Sequence, residues 1–306
     1  MFLTFDSVTK FYGPVIGVND VSCRIGPGIT GLLGANGAGK STMMKLASGQ
    51  LRPTLGEVRV GEIATWSTAA KNHFGYSPDI NSFYEEMTGR QFVYAMAKLH
   101  GYPAREARER TSRAIEEVGM TDRAGRKIAG CSHGMRQRIK LAQALVSDPE
   151  VLLLDEPLSG IDPGGRREIN NLLMKLGDRG KTVVVSSHIL VEIEHLADTI
   201  LIISAGRIVA SGTLGEVRGL LENQPFSVAI ETDRPRPLAA LLMAVPEVRS
   251  LEFRGEALLV RTRNPTQFFA HLANLVLEYG FEVQRMETMD AGADAVFDYI
   301  QQRGRG

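Results

Sequence analysis

Short apolar runs, each closed by a glycine, proline or acidic turn, alternate with stretches of helical spacing through the first two thirds of the chain. Phe2 to Lys10 and Val18 to Ile25 alternate apolar and polar positions as strands do, and Gly26-Pro27-Gly28 turns the chain after the second. Ile29 to Leu33 reads as a short buried strand and Thr42 to Leu46 as a helix. Glu57 to Gly61 is expected to be an edge strand, and His73 to Asp79 a strand that runs into a loop. Residues 90–100 then carry Phe92, Val93, Met96 and Leu99 at helical spacing, and 104–118 form a charged helix with Ala107, Ala114, Ile115 and Val118. These helices interrupt the strand-helix alternation, which predicts a helical segment of its own over about 80–150.

A further helix follows Ser132, with Ile139, Ala142 and Leu145 or Val146 on one face. Val151 to Leu154 and Thr182 to Ser186 are unbroken apolar runs, the pattern of strands covered on both sides, and the helix Arg166 to Leu176 lies between them. A helix at Leu190 to Leu196, a hairpin of Thr199–Ile203 with Arg207–Ser211 about Ala205-Gly206, and a helix near Leu214 to Leu221 complete a first domain over residues 1–222, with 222–224 as linker. Residues 225–306 differ. Pro225–Thr232, Val248–Phe253, Ala257–Thr262 and Glu282–Glu287 read as strands and Pro237–Met243 and Pro265–Tyr279 as helices, in the order β-α-β-β-α-β of a ferredoxin-like α+β domain. No catalytic constellation falls within it. A dimer-contact or regulatory module and a stabilising cap are both open readings of this domain.

The strand-turn-helix at 29–46 acquires chemistry from its turn. Gly34-Ala35-Asn36-Gly37-Ala38-Gly39-Lys40-Ser41 fits G-x-x-x-x-G-K-[ST], whose backbone amides wrap a phosphate chain. Lys40 can reach the β and γ oxygens, the Ser41 hydroxyl can ligate Mg²⁺, and Thr42 opens the helix behind them. The buried run at 151–154 ends in Asp155-Glu156-Pro157, and packing alone gives little reason for paired acids there. Asp155 suits a Mg²⁺ shell and Glu156 suits orienting an attacking water. The second buried strand ends at Ser187-His188, which places His188 to hydrogen-bond a γ-phosphate. Ser132 and Gly134 at a helix start leave backbone N–H groups pointing outward, as either a plain N-cap or an anion site. Tyr12 is either a face for stacking on adenine or a half-buried edge tyrosine.

Composition adds limits. With 43% hydrophobic and 23% charged residues the chain is ordinary for a folded protein, and 35 basic against 35 acidic residues leave no field to attract nucleic acid. Only Arg303-Gly-Arg305 is locally basic, as a fraying terminus. Cys23 and Cys131 offer neither a disulfide framework nor metal-ligand spacing, so a reducing compartment is expected. No basic-then-apolar leader opens the sequence, and no apolar run approaches the ~20 residues of a membrane span.

Taken in this order, the phosphate loop, the Ser-x-Gly helix start, Leu-Asp-Glu-Pro, Ser159-Gly160-Ile161-Asp162 and the strand-end histidine make residues 1 to about 222 resemble the ATP-binding subunit of an ABC transporter. The resemblance implies an α/β P-loop NTPase fold of the ABC ATPase type: a RecA-like core, an antiparallel β subdomain and a helical subdomain. It makes Gly34 to Ser41 Walker A, Asp155 and Glu156 part of Walker B, Ser159 to Asp162 the D-loop and His188 the switch histidine, with Tyr12 against adenine. It also implies Mg·ATP hydrolysis at a head-to-tail homodimer or heterodimer, in which Ser132 and Gly134 serve the partner's γ-phosphate. The partner would be a separate transmembrane permease, with this chain peripheral at the cytoplasmic face of the membrane, and a similar C-terminal extension follows many exporters' ATPases. The apolar face of residues 90–100 is either a dock for that permease or packing within the helical segment.

The sequence departs from the family pattern twice. The signature, usually Leu-Ser-Gly-Gly-Gln, is Cys131-Ser132-His133-Gly134-Met135, and Asp79 stands where a glutamine is expected. Asp79 either keeps an oxygen ligand for Mg²⁺ or weakens the site through its charge and shorter reach. Two other functions stay open: an ABC-type ATPase with no transport role, and a nucleotide-sensing subunit with weak hydrolysis. The first usually carries two cassettes in one chain or a long coiled-coil insertion, and neither is in this sequence. Met135 and Asp79 speak for the second.

Overall fold

The structure, a computed structural model, describes residues 1–80, 82–213, 215–217, 226–255, 257–262 and 264–288. The linker at 222–224, most of the helix expected near Leu214 to Leu221 and the basic tail lie outside those residues. The chain divides into two compact units, Met1–Leu214 and Gly215–Gly306.

The first unit opens with β1 (Leu3–Tyr12), β2 (Val15–Ile25), β3 (Gly28–Leu33), α1 (Lys40–Ala47), β4 (Leu55–Val60), β5 (Ile63–Ala64) and β6 (Phe74–Ser77). Then come α2 (Gly89–Leu99), α3 (Ala104–Glu117), α4 (His133–Leu145), β7 (Val151–Leu154), α5 (Pro163–Asp178), β8 (Thr182–Ser187), α6 (Leu190–Ile193), β9 (Thr199–Ser204) and β10 (Arg207–Gly212). Two sheets form. One is antiparallel, in the order β2-β1-β4-β5, and the other runs β10-β9-β3-β8-β7-β6, parallel except for the β9-β10 hairpin.

Every residue of β7 and β8 is buried, and the alternation of side chains explains why. Leu152, Leu154, Val183 and Val185 point into a core filled by α2 to α5, whereas Val151, Leu153 and Val184 point into a second core with α1, β1, β2 and β4. At about 1.5–3 kcal/mol per buried aliphatic side chain, slipping either strand by one residue would exchange its two buried sets and misfit both cores. The helical segment is bound to the same sheet, because Phe92 and Val93 of α2 and Ile115 of α3 share a core with Leu152. Phe92 and Val93 therefore take the packing role, Met96 is partly buried against the same core, and Leu99 is left exposed.

Two expectations need correcting. β4 is not an edge strand, since the two-residue β5 pairs outside it; Thr65 donates its amide to Val58 and its hydroxyl to Leu46, which pins that short strand in place. The helix expected through Leu196 keeps regular geometry only over Leu190–Ile193 and continues as turn. Ile193 is held against Gly31, where an added Cβ would lie 2.3 Å from Ile193 Cγ2, and Asp198 is tied back to the amide of Ile29, so the chain must bend into β9.

In the second unit, β11 (Phe226–Thr232), α7 (Pro235–Leu242), β12 (Val248–Arg254), β13 (Ala257–Thr262), α8 (Pro265–Tyr279) and β14 (Val283–Thr288) form one antiparallel sheet in the order β12-β13-β11-β14. The first strand of the unit lies between its third and fourth, as in ferredoxin-like domains. Val228, Ile230, Leu258 and Val260 pack against Leu238, Leu242, Phe268 and Leu272 of the two helices.

β6 and α4 approach each other at Gly75, where an added Cβ would lie 2.0 Å from the Ala144 carbonyl oxygen. Backbone cannot retreat from that contact without separating strand and helix. Gly75→Ala is expected to cost about 3 kcal/mol or more, read as a fall in the urea midpoint at constant slope, or to prevent folding.

Candidate active site

The turn after β3 is shaped by three glycines. Gly34 has no room for a side chain, since a Cβ would sit 2.7 Å from the Ile203 carbonyl oxygen, and Gly39 takes a left-handed φ of 114° that an L side chain rarely adopts. Gly37 is also left-handed, at φ 81°. The turn of the β9-β10 hairpin backs the loop, with Gly206 donating its amide to Ala38 at 2.8 Å. Asn36 and Gly37 are exposed, Ala35 is half-buried and Ala38 is buried beneath them. Ser41 is exposed in the first turn of α1, and Thr42 Oγ1 lies 3.5 Å from the hydroxyl of Tyr12, which is itself 44% exposed at the end of β1.

Lys40 is buried under this loop. Its ammonium donates to the Gly34 carbonyl at 2.5 Å and the Ala35 carbonyl at 3.3 Å, and it lies 3.3 Å from Glu156 Oε1. That contact is an ion pair without hydrogen-bond geometry, for Glu156 Oε1 is buried and accepts no hydrogen bond. Glu156 Oε2 lies 3.0 Å from His188 Nδ1. The C-terminal edge of the parallel sheet thus joins Lys40, Glu156 and His188 in one chain of contacts, each delivered from a different strand end.

A serine that the sequence reading missed organises the two acids. Ser186 Oγ donates to Asp155 Oδ1 at 2.7 Å and accepts the Glu156 amide at 2.9 Å. Asp155 is further fixed by its own amide, which donates to the Ser77 carbonyl at 2.9 Å. Glu156 has a left-handed φ of 50°, a conformation that costs of order 1–3 kcal/mol for a non-glycine residue and persists only where surroundings over-determine it. The bond from Ser186 is part of that support. The available signal was a polar residue within the buried run Val183 to Ser187.

Asp79 lies exposed just beyond β6, and Lys140 from α4 donates to the carbonyls of Pro78 and Asp79, each at 2.9 Å. Lys140 was also missed, although Gln137, Lys140, Leu141 and Ala144 follow the i, i+3, i+4, i+7 rule of a buried stripe. Burial lowers the basicity of its ammonium, and the charges of Asp79 and Asp155 pull the other way. Burial, followed by the same two carboxylates, also pushes the Tyr76 hydroxyl well above the usual phenol range.

Ser132, Gly134 and Asp162 belong to a second place. Ser132 caps α4 by accepting the Met135 amide at 3.4 Å, so the cap reading of that serine holds in this structure. Asp162 caps α5 by accepting the Gly165 amide at 3.1 Å. Both line a cleft of about 470 Å³ with Arg123, Met135, Arg138 and Glu168. A Cβ built on Gly134 would meet nothing within 4 Å. His133 turns away to the turn before α5, its Nε2 lying 2.9 Å from the Ser159 carbonyl. Gly160 is left-handed at φ 67°, and a Cβ there would lie 3.0 Å from the same nitrogen. Neither cysteine is poised to react: burial pushes the Cys23 thiol up to about 12 and also raises that of Cys131.

The donor set suits a hard divalent cation. Ser41, Asp155 and Asp79 offer hydroxyl and carboxylate oxygens, and Mg²⁺ in phosphoryl-transfer sites takes one or two carboxylates and completes its shell with phosphates and water. Among the described residues no group of three or more His, Cys, Asp or Glu side chains could hold a metal by itself.

A phosphate loop with a buried lysine at the edge of a parallel sheet, beside two acids and a histidine, defines a P-loop nucleotide site. Comparison with known proteins narrows the class. The family model for ABC transporters matches residues 18–159. The chain is 34% identical over 272 residues, 87% of its own length and 85% of the relative's, to the Nod factor export ATP-binding protein I of Rhizobium johnstonii. It is 30% identical over 295 residues, 95% of its length and 89% of the relative's, to the daunorubicin/doxorubicin resistance ATP-binding protein of Streptomyces peucetius. Among solved structures, an ATP-binding subunit of an ABC transporter aligns with a TM-score of 0.65 at 26% identity, over 72% of this chain and 93% of that one. A dimeric ATP-binding cassette with ADP and Pi aligns at 0.64 and 26%, over 69% and 98%. The chain belongs to the family of ABC transporter ATP-binding proteins.

Ser186→Ala would leave a buried carboxylate oxygen and a buried amide without their partner. A loss of about 2 kcal/mol in urea unfolding is expected; a loss below about 0.5 kcal/mol would show that the bridge does not hold the two acids.

Proposed function

We propose that this protein is the ATP-hydrolysing subunit of an ABC exporter, in which nucleotide drives closure of two ATP-binding subunits and a separate transmembrane permease takes up the motion. The observation that carries the reading is the contact chain Lys40–Glu156–His188 beneath the phosphate loop. Lys40 and the amides of Gly34 to Ser41 would hold the phosphates, and an arriving phosphate competes with Gly34, Ala35 and Glu156 for the same ammonium. Glu156, once released from Lys40, has one buried oxygen able to accept a proton from water, and the bond to His188 fixes the other. Tyr12 offers the aromatic face for adenine.

Ser41, Asp155 and Asp79 would hold Mg²⁺, which when bound neutralises charge on the β and γ oxygens. Asp155 is already oriented by Ser186.

Ser132 and Gly134 face open space at the start of α4, where backbone amides and the helix dipole favour an anion. We infer that they receive the γ-phosphate held by another subunit, whose own Ser132 and Gly134 would do the same in return if that subunit is a second copy. A solved relative in this fold is a cassette dimer with ADP and Pi, which supports the arrangement. Asp162 lines the same cleft. Export is favoured by the relatives named for Nod factor export and for drug resistance. No helix among the described residues is long and apolar enough to cross a membrane, so in this reading the permease is another chain and the subunit works at its cytoplasmic face. We assign residues 1–222 to the ATPase and 225–306 to an accessory domain.

Glu156→Gln keeps shape and removes the base. ATP turnover is expected to fall at least about a hundredfold while ATP affinity stays within a few-fold, and ATP should then trap a dimer visible by size exclusion. An unchanged turnover would end the assignment of Glu156. Failure to co-purify with any multi-span membrane protein from its native cells would count equally against the transport role.

A further inference from the structure

The chain leaving β6 has carbonyls on two edges. Ser77 faces β7, since its carbonyl accepts the Asp155 amide. Tyr76 therefore faces the open edge of the sheet, where β6 is the last strand, and there Gln143 Nε2 donates to it at 3.4 Å. Lys140, one turn earlier on α4, donates to the next two carbonyls beyond the strand, Pro78 and Asp79. The helix is pressed onto this edge by the close approach at Gly75.

Lys140 is an expensive way to fill that position. Only 2% of it is exposed, and its ammonium donates to the carbonyls of Pro78 and Asp79. A buried ammonium held by carbonyls alone costs several kcal/mol in desolvation that an apolar residue would avoid. Gln143 makes a comparable tie from a half-buried neutral amide. What the cation adds is a grip on the carbonyls of two successive peptide groups, with the carboxylates of Asp79 and Asp155 offsetting part of the cost of its burial. The gripped segment carries Asp79, and the helix that grips it begins at Ser132.

We propose that Lys140 is a positioning residue for ATP hydrolysis: it locks the two peptide groups that flank Asp79 to α4, so that whatever engages Ser132 at the start of that helix also sets Asp79 beside Asp155. This rests on the ATPase reading above. It assigns Asp79 a fixed direction that its own exposed side chain does not supply, and it makes α4 the rigid link between the surface that meets another subunit and the metal side of this one.

The test compares wild type with Lys140→Met, which keeps most of the side chain's length and removes the donor. In nucleotide-free protein, the ¹⁵N order parameters of Asp79 and Ile80 are expected to fall from the rigid range of about 0.85 to below about 0.6, with those of Leu152 to Leu154 unchanged. In turnover, kcat is expected to fall ten- to a hundredfold with KM for ATP within threefold. Lys140→Gln keeps N–H donors on a shorter, uncharged side chain and should lie between the two proteins in both measurements; if the methionine variant does not fold, this one is judged by the same criteria. Order parameters at Asp79 and Ile80 that stay in the rigid range would overturn the proposal. So would a loosening that spreads through Leu152 to Leu154, which marks a general structural strut, or a kcat equal to wild type. A wild-type protein that hydrolyses no ATP would instead overturn the ATPase reading, while the nucleotide-free order parameters still decide whether Lys140 holds that segment.

Discussion

The site depends on one carboxylate held in an unfavourable place. Glu156 follows a strand that is buried on both faces, takes a left-handed backbone, and presents one buried oxygen to Lys40 without a hydrogen bond. Each of these features costs free energy alone. Together they are stable because Ser186 holds the backbone, His188 holds the second oxygen, and Lys40 supplies opposite charge in a medium where water cannot. The arrangement suits a protein that must exchange partners: the ammonium already sits where phosphate would arrive, and its contacts with loop carbonyls are ones that phosphate oxygens replace. In the proposed cycle the acid becomes available when the lysine is drawn away from it.

The same logic connects the two departures from the family pattern. A histidine in the signature could block the start of α4, yet His133 folds back onto the Ser159 carbonyl and leaves the space at Gly134 open. The loop before α5 accommodates the ring through the left-handed turn at Gly160. Asp79 adds a negative charge close to Asp155, and Lys140 brings a buried positive charge to the same corner. In each case an atypical side chain meets a local partner on a neighbouring element, so the exposed surface of the cleft and the charge near the acids change less than the residue types suggest.

Where sequence was informative, two independent constraints agreed. Gly34 to Ser41 is legible because the glycine spacing and the lysine must coincide with a strand end, and Asp155-Glu156 because acids rarely terminate a run such as Val151 to Leu154. The ferredoxin-like strand order was legible from alternation and two proline-started helices. Where only one constraint acted, the reading slipped. β4 looked like an edge because β5 is two residues long and carries no pattern, and the helix after His188 stops early because Gly31 and Asp198 hold the chain from a distance that periodicity cannot express.

Ser186 and Lys140 stayed hidden for a different reason. Both are polar residues inside buried patterns, and a sequence read for its apolar stripe treats such residues as interruptions. Their partners, Asp155, the Glu156 amide and the carbonyls of Pro78 and Asp79, are 30 or more positions away and three of the four are backbone. A buried polar side chain must nevertheless be satisfied, and the groups most in need of donors in this fold are the carbonyls and acids at the ends of β6 and β7. An interruption in a buried stripe close to such strand ends is therefore itself a signal of the site. On that argument Ser186 and Lys140 carry as much information about the chemistry as the exposed residues that motif reading selects.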